Sequence, residues 1–276
     1  MLVVGLALTS AALFGAMTVL VRIGMRDGID PSGSAVATIL PALAVALVAA
    51  AIRADVHGGW PFLAAGLLAP GGSQLLFTFA VREVGASRTS VTVGAAPLVA
   101  VAIALVFLHE PLHVALLVGA AAIVVGGILL AAERDRPSHL RARGLLFAAG
   151  ATVLFATRDN LARALHAHAA PEAAAAATLL AGTAVAMLWL RRLPTRRETI
   201  RLAPAGLCFG LSYVALFEAY WRGRVTVVSP LVATESLWGV LLSALLVRHA
   251  EGVGRRIALG AALVVAGGAL IGVTRG

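Results

Sequence analysis

The chain has 276 residues, of which 60 % are hydrophobic and 13 % charged, and its 22 basic residues outnumber its 13 acidic ones to give a formal charge of +9. Together with a mean hydropathy of +0.95, this composition excludes an ordinary water-soluble domain, which would have too little polar surface to cover so much apolar material. The basic excess does not indicate nucleic-acid binding, because the arginines lie in short segments between apolar runs, a distribution typical of membrane topology and lipid headgroup contact.

The apolar residues form helix-length runs, and about twenty residues at about 1.5 Å each cross about 30 Å of hydrocarbon. We therefore predict an all-α integral membrane protein of ten transmembrane helices, located in the bacterial inner membrane. The first run has no basic segment before it and is predicted to be an uncleaved span. The predicted spans are 2–22, 34–52, 61–81, 87–108, 112–132, 144–165, 172–190, 202–221, 226–247 and 256–274.

The two halves of the chain resemble each other at a constant displacement of 141 residues. The matches include Leu13-Phe14 with Leu154-Phe155, Arg22 with Arg163, Glu110 with Glu251, Gly119 with Gly260, and Gly126-Gly127 with Gly267-Gly268. An odd number of spans in each half places the second copy upside down relative to the first. We therefore predict two inverted five-helix repeats, residues 1–138 and 139–276, an architecture suited to alternating access. Transport becomes the leading function.

Short motifs in both halves carry a family resemblance. They are Gly85-Ala-Ser-Arg88, Ala96-Pro97-Leu98, His109-Glu110-Pro111 and Gly126-Gly127 in the first half, and Ser229-Pro230-Leu231, Thr234-Glu235-Ser236 and the glycines from Gly260 to Gly268 in the second. In these the chain resembles the EamA type of the drug/metabolite transporter superfamily. The resemblance implies ten helices around a central cavity and export of small metabolites, amino acids or drugs, driven by an ion gradient or by exchange. Many members have Glu-Pro where this chain has Glu235-Ser236, so the helix break expected there moves to Pro230.

Four charged residues lie at membrane depth, where each costs on the order of 2.5 to 3.5 kcal/mol and should face a partner or a water-filled interior. Glu235 lies near the middle of the ninth predicted span, Arg158 and Asp159 in the sixth, and Glu218 in the eighth. Asp159 and Arg163 are spaced i, i+4 and can neutralise each other along one helix face. Arg158 has no such neighbour, so we expect it to reach Glu235, Glu218 or a ligand.

These residues and their polar neighbours form the predicted substrate or coupling site. Its candidates are Glu235, Arg158, Glu218, Asp159, Gln74, Trp238, Tyr213 and Thr234. A carboxylate there can bind a proton or a cationic substrate, and an arginine can hold a carboxylate. At Glu235 desolvation favours the neutral acid and a nearby Arg158 favours the charged one, and the sequence does not decide between them. For Gln74 an interhelical hydrogen bond is an equal alternative, and Arg88 is expected to snorkel to the interface.

No catalytic, metal or cofactor site is predicted. His109, Glu110 and His113 formally match a metalloprotease pattern, but Pro111 belongs to a helix start between spans, and Glu110 and Glu251 are expected to fix loops or cap helices. The single Cys208 excludes a disulfide framework. An integral membrane enzyme or lipid-handling protein, and a scaffold without transport activity, remain the alternatives to a transporter.

Membrane orientation stays open. With alternating loops, one face carries sixteen arginines and the other five, which places both termini outside the cytoplasm by the positive-inside rule. The family resemblance implies both termini inside. The expected partners are a small-molecule substrate, the lipid bilayer and protons as a candidate coupling ion, with no nucleic acid, and the sequence does not distinguish a monomer from a homodimer.

Overall fold

Helices account for nearly all of the described chain. The computed structural model describes residues 1–24, 31–54, 57–84, 92–93, 95–111, 113–131, 142–190, 192–246 and 255–273, and these contain no β-strand. The α-helices are α1 (Leu2–Gly24), α2 (Pro31–Arg53), α3 (Pro61–Gly66), α4 (Ser73–Val84), α5 (Ala96–Phe107), α6 (Val114–Ala131), α7 (Ala142–Ala164), α8 (Pro171–Leu188), α9 (Arg196–Arg222), α10 (Val225–Val232), α11 (Glu235–Leu246) and α12 (Arg255–Val273).

Membrane-spanning character is concentrated in four of these helices. By length and composition α1, α2, α8 and α9 can each cross a bilayer, and four shorter apolar segments lie in α3 to α4, α5, α6 and α12. Helix α7 has 23 residues, which is also spanning length, but it carries Arg158, Asp159 and Arg163. The prediction of an all-α integral membrane protein is therefore confirmed.

Two of the predicted spans are interrupted. Between α3 and α4 the chain leaves helical geometry at Ala69 (φ −148°, ψ 126°), so the segment Leu67–Gly72, which contains Pro70, is a kink between the two helices. The ninth predicted span divides into α10 and α11, with a turn at Ala233 and Thr234. The break expected at Pro230 thus lies three residues later, because Pro230 is tolerated inside α10 and the turn closes where the Thr234 hydroxyl donates to the Leu231 carbonyl at 2.7 Å.

The repeated glycines bring α6 and α12 into close antiparallel contact. A Cβ atom added at Gly119 would lie 2.9 Å from the Gly267 carbonyl oxygen, and one added at Gly126 would lie 2.6 Å from that of Gly260. The displacement of 141 residues relates Gly119 to Gly260 and Gly126 to Gly267. It therefore converts the first contact into the second. Such a reciprocal pattern is the property of a contact across a two-fold axis.

Replacement of Gly267 by alanine is expected to destabilise the fold, whereas replacement of the adjacent Gly268 is not. A Cβ at Gly267 would lie 2.5 Å from the Gly119 carbonyl oxygen, while one at Gly268 would find its nearest neighbour, Leu231, at 3.8 Å. Overpacking of this kind costs about 1 to 3 kcal/mol. Thermal unfolding in detergent should show a lower midpoint for Gly267→Ala alone, and equal midpoints for the two variants would contradict the close contact.

Glu110 fixes the start of α10. Its two carboxylate oxygens each accept a hydrogen bond of 2.9 Å, one from the backbone N–H of Val225 and one from that of Thr226. An acid at a helix N-terminus satisfies free N–H groups and complements the helix dipole. These hydrogen bonds confirm the expected capping role. They also engage both carboxylate oxygens of the Glu in the metalloprotease-like pattern. The matching Glu251 lies outside the described residues, as does Arg88.

Helices α7, α9 and α10 meet in the interior. Asn160 on α7 donates to the Ala100 carbonyl on α5 at 3.0 Å, and Arg163 on α7 reaches the end of α9. Helix α1 packs along α9, where Ser10 and Ser212 exchange hydrogen bonds of 3.0 and 2.9 Å through hydroxyl and carbonyl groups. This packing places the polar residues of α7 opposite the aromatic face of α9.

Candidate functional site

A buried ion pair occupies the last third of α7. Arg158 Nε lies 2.9 Å from Asp159 Oδ1, and the two residues are only 5 % and 9 % exposed. The expected pair between Asp159 and Arg163 is wrong. Arg163 instead donates to the carbonyl oxygen of Tyr220 at 3.0 Å, because it lies one turn further along α7, beside the free carbonyls of the last turn of α9.

Three side chains from α9 and α10 surround this pair. The guanidinium carbon of Arg158 lies 5.1 Å from the centre of the Tyr213 ring, within range of a cation–π contact. The Ser229 hydroxyl donates to Asp159 Oδ2 at 3.3 Å, and the Tyr220 side chain interacts with the same carboxylate. The pair is therefore held by tyrosine and serine, while Arg158 Nη1 has no hydrogen-bond partner among the described residues.

Glu235 faces the pair from α11. It is the first residue of that helix, directly after the turn at Ala233 and Thr234, and its carboxylate interacts electrostatically with both Arg158 and Asp159. Unlike them, Glu235 is exposed. Discontinuous helices form the ion and substrate sites of many secondary transporters, and the N-terminus of α11 stabilises a negative charge at the position of Glu235.

The neighbours of Glu235 pack between α1 and α6. A Cβ at Gly15 of α1 would lie 2.7 Å from the Trp238 Cβ, and one at Gly127 of α6 would lie 3.3 Å from the Ser236 hydroxyl. The indole N–H of Trp238 is buried and finds no acceptor among the described residues. Thr234 is also buried, and its hydroxyl is used within the turn. Of these neighbours, Trp238 therefore retains a donor for a ligand.

Two predicted site residues lie elsewhere. Glu218 on α9 forms salt bridges with Arg222 and with Arg53, the latter at 3.9 Å, rather than with Arg158. Gln74 is exposed on α4. The structure thus brings together Arg158, Asp159 and Tyr213 with Glu235, and it does not bring Glu218 to them.

An aromatic column along α9 was missed by the sequence prediction. Phe209, Tyr213, Phe217 and Trp221 recur every four residues, with successive ring centres 4.9, 6.0 and 5.8 Å apart. Phe62 of α3 packs against Phe217 and Trp221 at 6.2 and 5.5 Å. The i, i+4 spacing is the signal that could have revealed this column, since it places all four rings on one helix face. Ser229 and Tyr220 were also left out of the predicted site.

Comparison with known proteins agrees with an all-helical membrane transporter built from two related halves. A model of the EamA-like transporter family matches residues 1–132 and again residues 142–273, so the chain belongs to this family. The drug/metabolite resemblance of the sequence is thereby confirmed. No curated protein matches the chain.

A solved structure shares the fold. It is described as "Crystal structure of protein", has 19 % sequence identity and a TM-score of 0.86, and the alignment covers 99 % of this chain and 96 % of the other. At this identity the likeness shows the architecture of the chain and carries no information about a substrate.

Proposed function

We propose that this protein is a secondary active transporter that exports small metabolites, amino acids or drugs by alternating access, from the bacterial inner membrane. The observation that carries the proposal is an exposed carboxylate, Glu235, facing a buried Arg158–Asp159 pair in the interior of a membrane protein of a transporter family. Charges at this depth are expensive and mark ion or substrate pathways. A scaffold has no need of them, and an enzyme would need a convergent catalytic set.

The architecture we propose is ten spans in two inverted units, residues 1–138 and 139–276. The reciprocal glycine contacts between the antiparallel α6 and α12 support it, because the axis that exchanges them runs perpendicular to both helices. An axis perpendicular to membrane-crossing helices lies in the membrane plane, which is the relation between inverted repeats. Exchange of conformation between the two units would then open the cavity first to one face and then to the other.

The proposed roles within the site follow from exposure and charge. Glu235 binds the coupling proton or a cationic group of the substrate, since it is the exposed acid of the cluster. Arg158 is shared between Asp159 and Glu235 and offers its unpaired Nη1 to an anionic group. Trp238 contributes its buried indole N–H. Tyr213 holds Arg158 in place through its ring, and Thr234 closes the turn from which Glu235 projects.

Flux measurements in proteoliposomes test this proposal. The purified protein is reconstituted and offered a panel of labelled amino acids, small metabolites and cationic dyes, with and without an imposed proton gradient. Accumulation that follows the gradient for at least one compound supports secondary transport. Fluxes equal to those of protein-free liposomes for the whole panel, with and without the gradient, would contradict it.

A further inference from the structure

A second group of charges lies at one end of the bundle, separate from the Glu235 site. It consists of Arg53 at the end of α2, Glu172 in the first turn of α8, and Glu218 with Arg222 in the last turn of α9. We call these four residues the terminal network. Arg53 lies between two carboxylates, with Nε 3.7 Å from Glu172 Oε1 and Nη2 3.9 Å from Glu218 Oε1. Glu218 also contacts Arg222.

The terminal network joins the two halves of the chain. Arg53 belongs to the first half, whereas its partners belong to the second. Glu172 is 7 % exposed, and its second oxygen, Oε2, is buried without a hydrogen-bond partner among the described residues. The salt bridge of Glu172 therefore ties the buried start of α8, in the second half, to the end of α2 in the first.

The charges of the terminal network are not repeated at the equivalent sequence positions of the other half. The displacement of 141 residues relates Arg53, Glu172, Glu218 and Arg222 to Pro194, Pro31, Phe77 and Val81, all of which are uncharged. Two related units should close the two faces of the membrane in similar ways, and a contact whose charges are not repeated at the equivalent positions of the other unit makes the two closures unequal. The difference between the two closures is thus due to the four side chains of the terminal network, and not to the fold that the two halves share.

Aromatic packing lies directly beside the terminal network. Trp221, next to Arg222, packs against Phe62 and Phe217, and its indole N–H donates to the Ala169 carbonyl at 2.9 Å. The three rings come from α3 in the first half and α9 in the second. Opening of this end must therefore separate the ionic contact of Arg53 together with ring packing. The same rings continue along α9 from Phe217 to Tyr213, which contacts Arg158 of the Glu235 site.

We infer that the terminal network is an ionic latch that holds this face of the transporter closed, and that Arg53 sets the balance between the two open states. The inference rests on the proposed alternating access. Half of the Arg53 side chain is exposed, so its ion pairs are partly solvated. Pairs of this kind change the ratio of two conformations by a few-fold. A latch of that strength can open in each transport cycle. In the absence of substrate it still favours the conformation in which this face is closed.

The test is sided thiol labelling of the site, which needs no substrate. In a Cys208→Ala background, Ser229→Cys places a thiol beside Asp159, and His168→Cys, which is exposed at the latch end, establishes which compartment that end faces. A membrane-impermeant maleimide is applied to intact cells and to inverted vesicles. Arg53→Gln should raise the Ser229→Cys labelling rate from the latch face about threefold to fivefold and lower it from the opposite face.

Matched variants separate the latch from general damage. Arg53→Lys, which keeps the charge, should label close to the parent rate. Arg192→Gln removes a 2.6 Å salt bridge to Glu198 within the second half and should change neither rate. Glu172→Gln should act in the same direction as Arg53→Gln, and provides the measurement if Arg53→Gln does not give a monodisperse protein.

The outcomes distinguish the latch from the transport mechanism. If the parent labels from both faces while Arg53→Gln and Glu172→Gln leave both rates unchanged, the latch is wrong and alternating access stands. If Ser229→Cys labels from a single face in every variant, alternating access fails and the latch with it.

Discussion

Glu235→Gln is expected to abolish gradient-driven accumulation of substrate while leaving exchange of substrate across the membrane. The amide keeps the shape of the carboxyl group and its capacity to accept a hydrogen bond but cannot carry the charge. Glu235 faces the Arg158–Asp159 pair and is more exposed than either member of it, so it is the acid of this group that a proton or cation reaches most easily. The measurement compares net uptake under a proton gradient with counterflow at equal pH, in the same proteoliposomes.

Glu218→Gln is the matched control for this experiment. Glu218 is also an acid within a spanning helix, but its carboxylate is engaged by Arg222 and Arg53. Its neutralisation weakens the terminal network and is expected to change the rate of uptake, but accumulation should still follow the proton gradient. A Glu235→Gln protein that still accumulates substrate with unchanged pH dependence would exclude Glu235 as the coupling site. Loss of both accumulation and exchange would instead assign Glu235 to binding of the substrate.

Removal of Arg158 alone is expected to destabilise the protein by about 3 kcal/mol or more, because it leaves Asp159 buried without its cation and facing a second acid, Glu235. Asp159→Leu should cost less, since Arg158 then keeps Tyr213 and Glu235. The double variant Arg158→Met/Asp159→Leu should recover much of the loss, because two apolar side chains replace the pair. Thermal unfolding in detergent measures all three.

The loss of stability in the double variant, compared with the sum of the two single losses, shows whether Arg158 and Asp159 act as a pair. Losses that add in the double variant, within a few tenths of a kcal/mol, would show that Arg158 and Asp159 contribute independently. Arg192→Met serves as the control, because it removes an arginine from an exposed salt bridge and should change the unfolding midpoint little.

Much of the fold could be predicted because membranes restrict the choices. An apolar run of spanning length has to be a helix, since no water is present to satisfy its backbone groups. Duplicated Glu and Gly residues made the two halves visible. The place of Glu110 between two predicted spans indicated a capping role, but not that the capped helix is α10 in the other half. The exact break in the ninth predicted span did not follow, because a proline weakens a helix without fixing which turn gives way.

The site was harder to predict than the helices. The sequence selected Arg158, Asp159 and Glu235 because charges stand out in apolar surroundings, but it could not choose their partners. Helical spacing favoured Arg163 for Asp159, and the carbonyl groups at the end of α9 attracted Arg163 instead. Glu218 is engaged by Arg222, one turn along α9, and by Arg53 from α2. The spacing i, i+4 could have revealed the first contact, but the second joins distant segments. Contacts between distant segments are absent from the local pattern that such reasoning uses.

The adjacency of Arg158 and Asp159 has a consequence for biogenesis. A charge that needs a partner on a later helix has to enter the bilayer alone and wait for that helix to be synthesised. Here the partners are consecutive residues of α7, so they can neutralise each other as this helix leaves the translocon, before α9 and α10 exist. The cost of placing two ionised side chains in lipid is thereby reduced at the step where it is greatest. The second half of the chain can therefore begin its insertion with α7, although this helix carries two charged residues of the site.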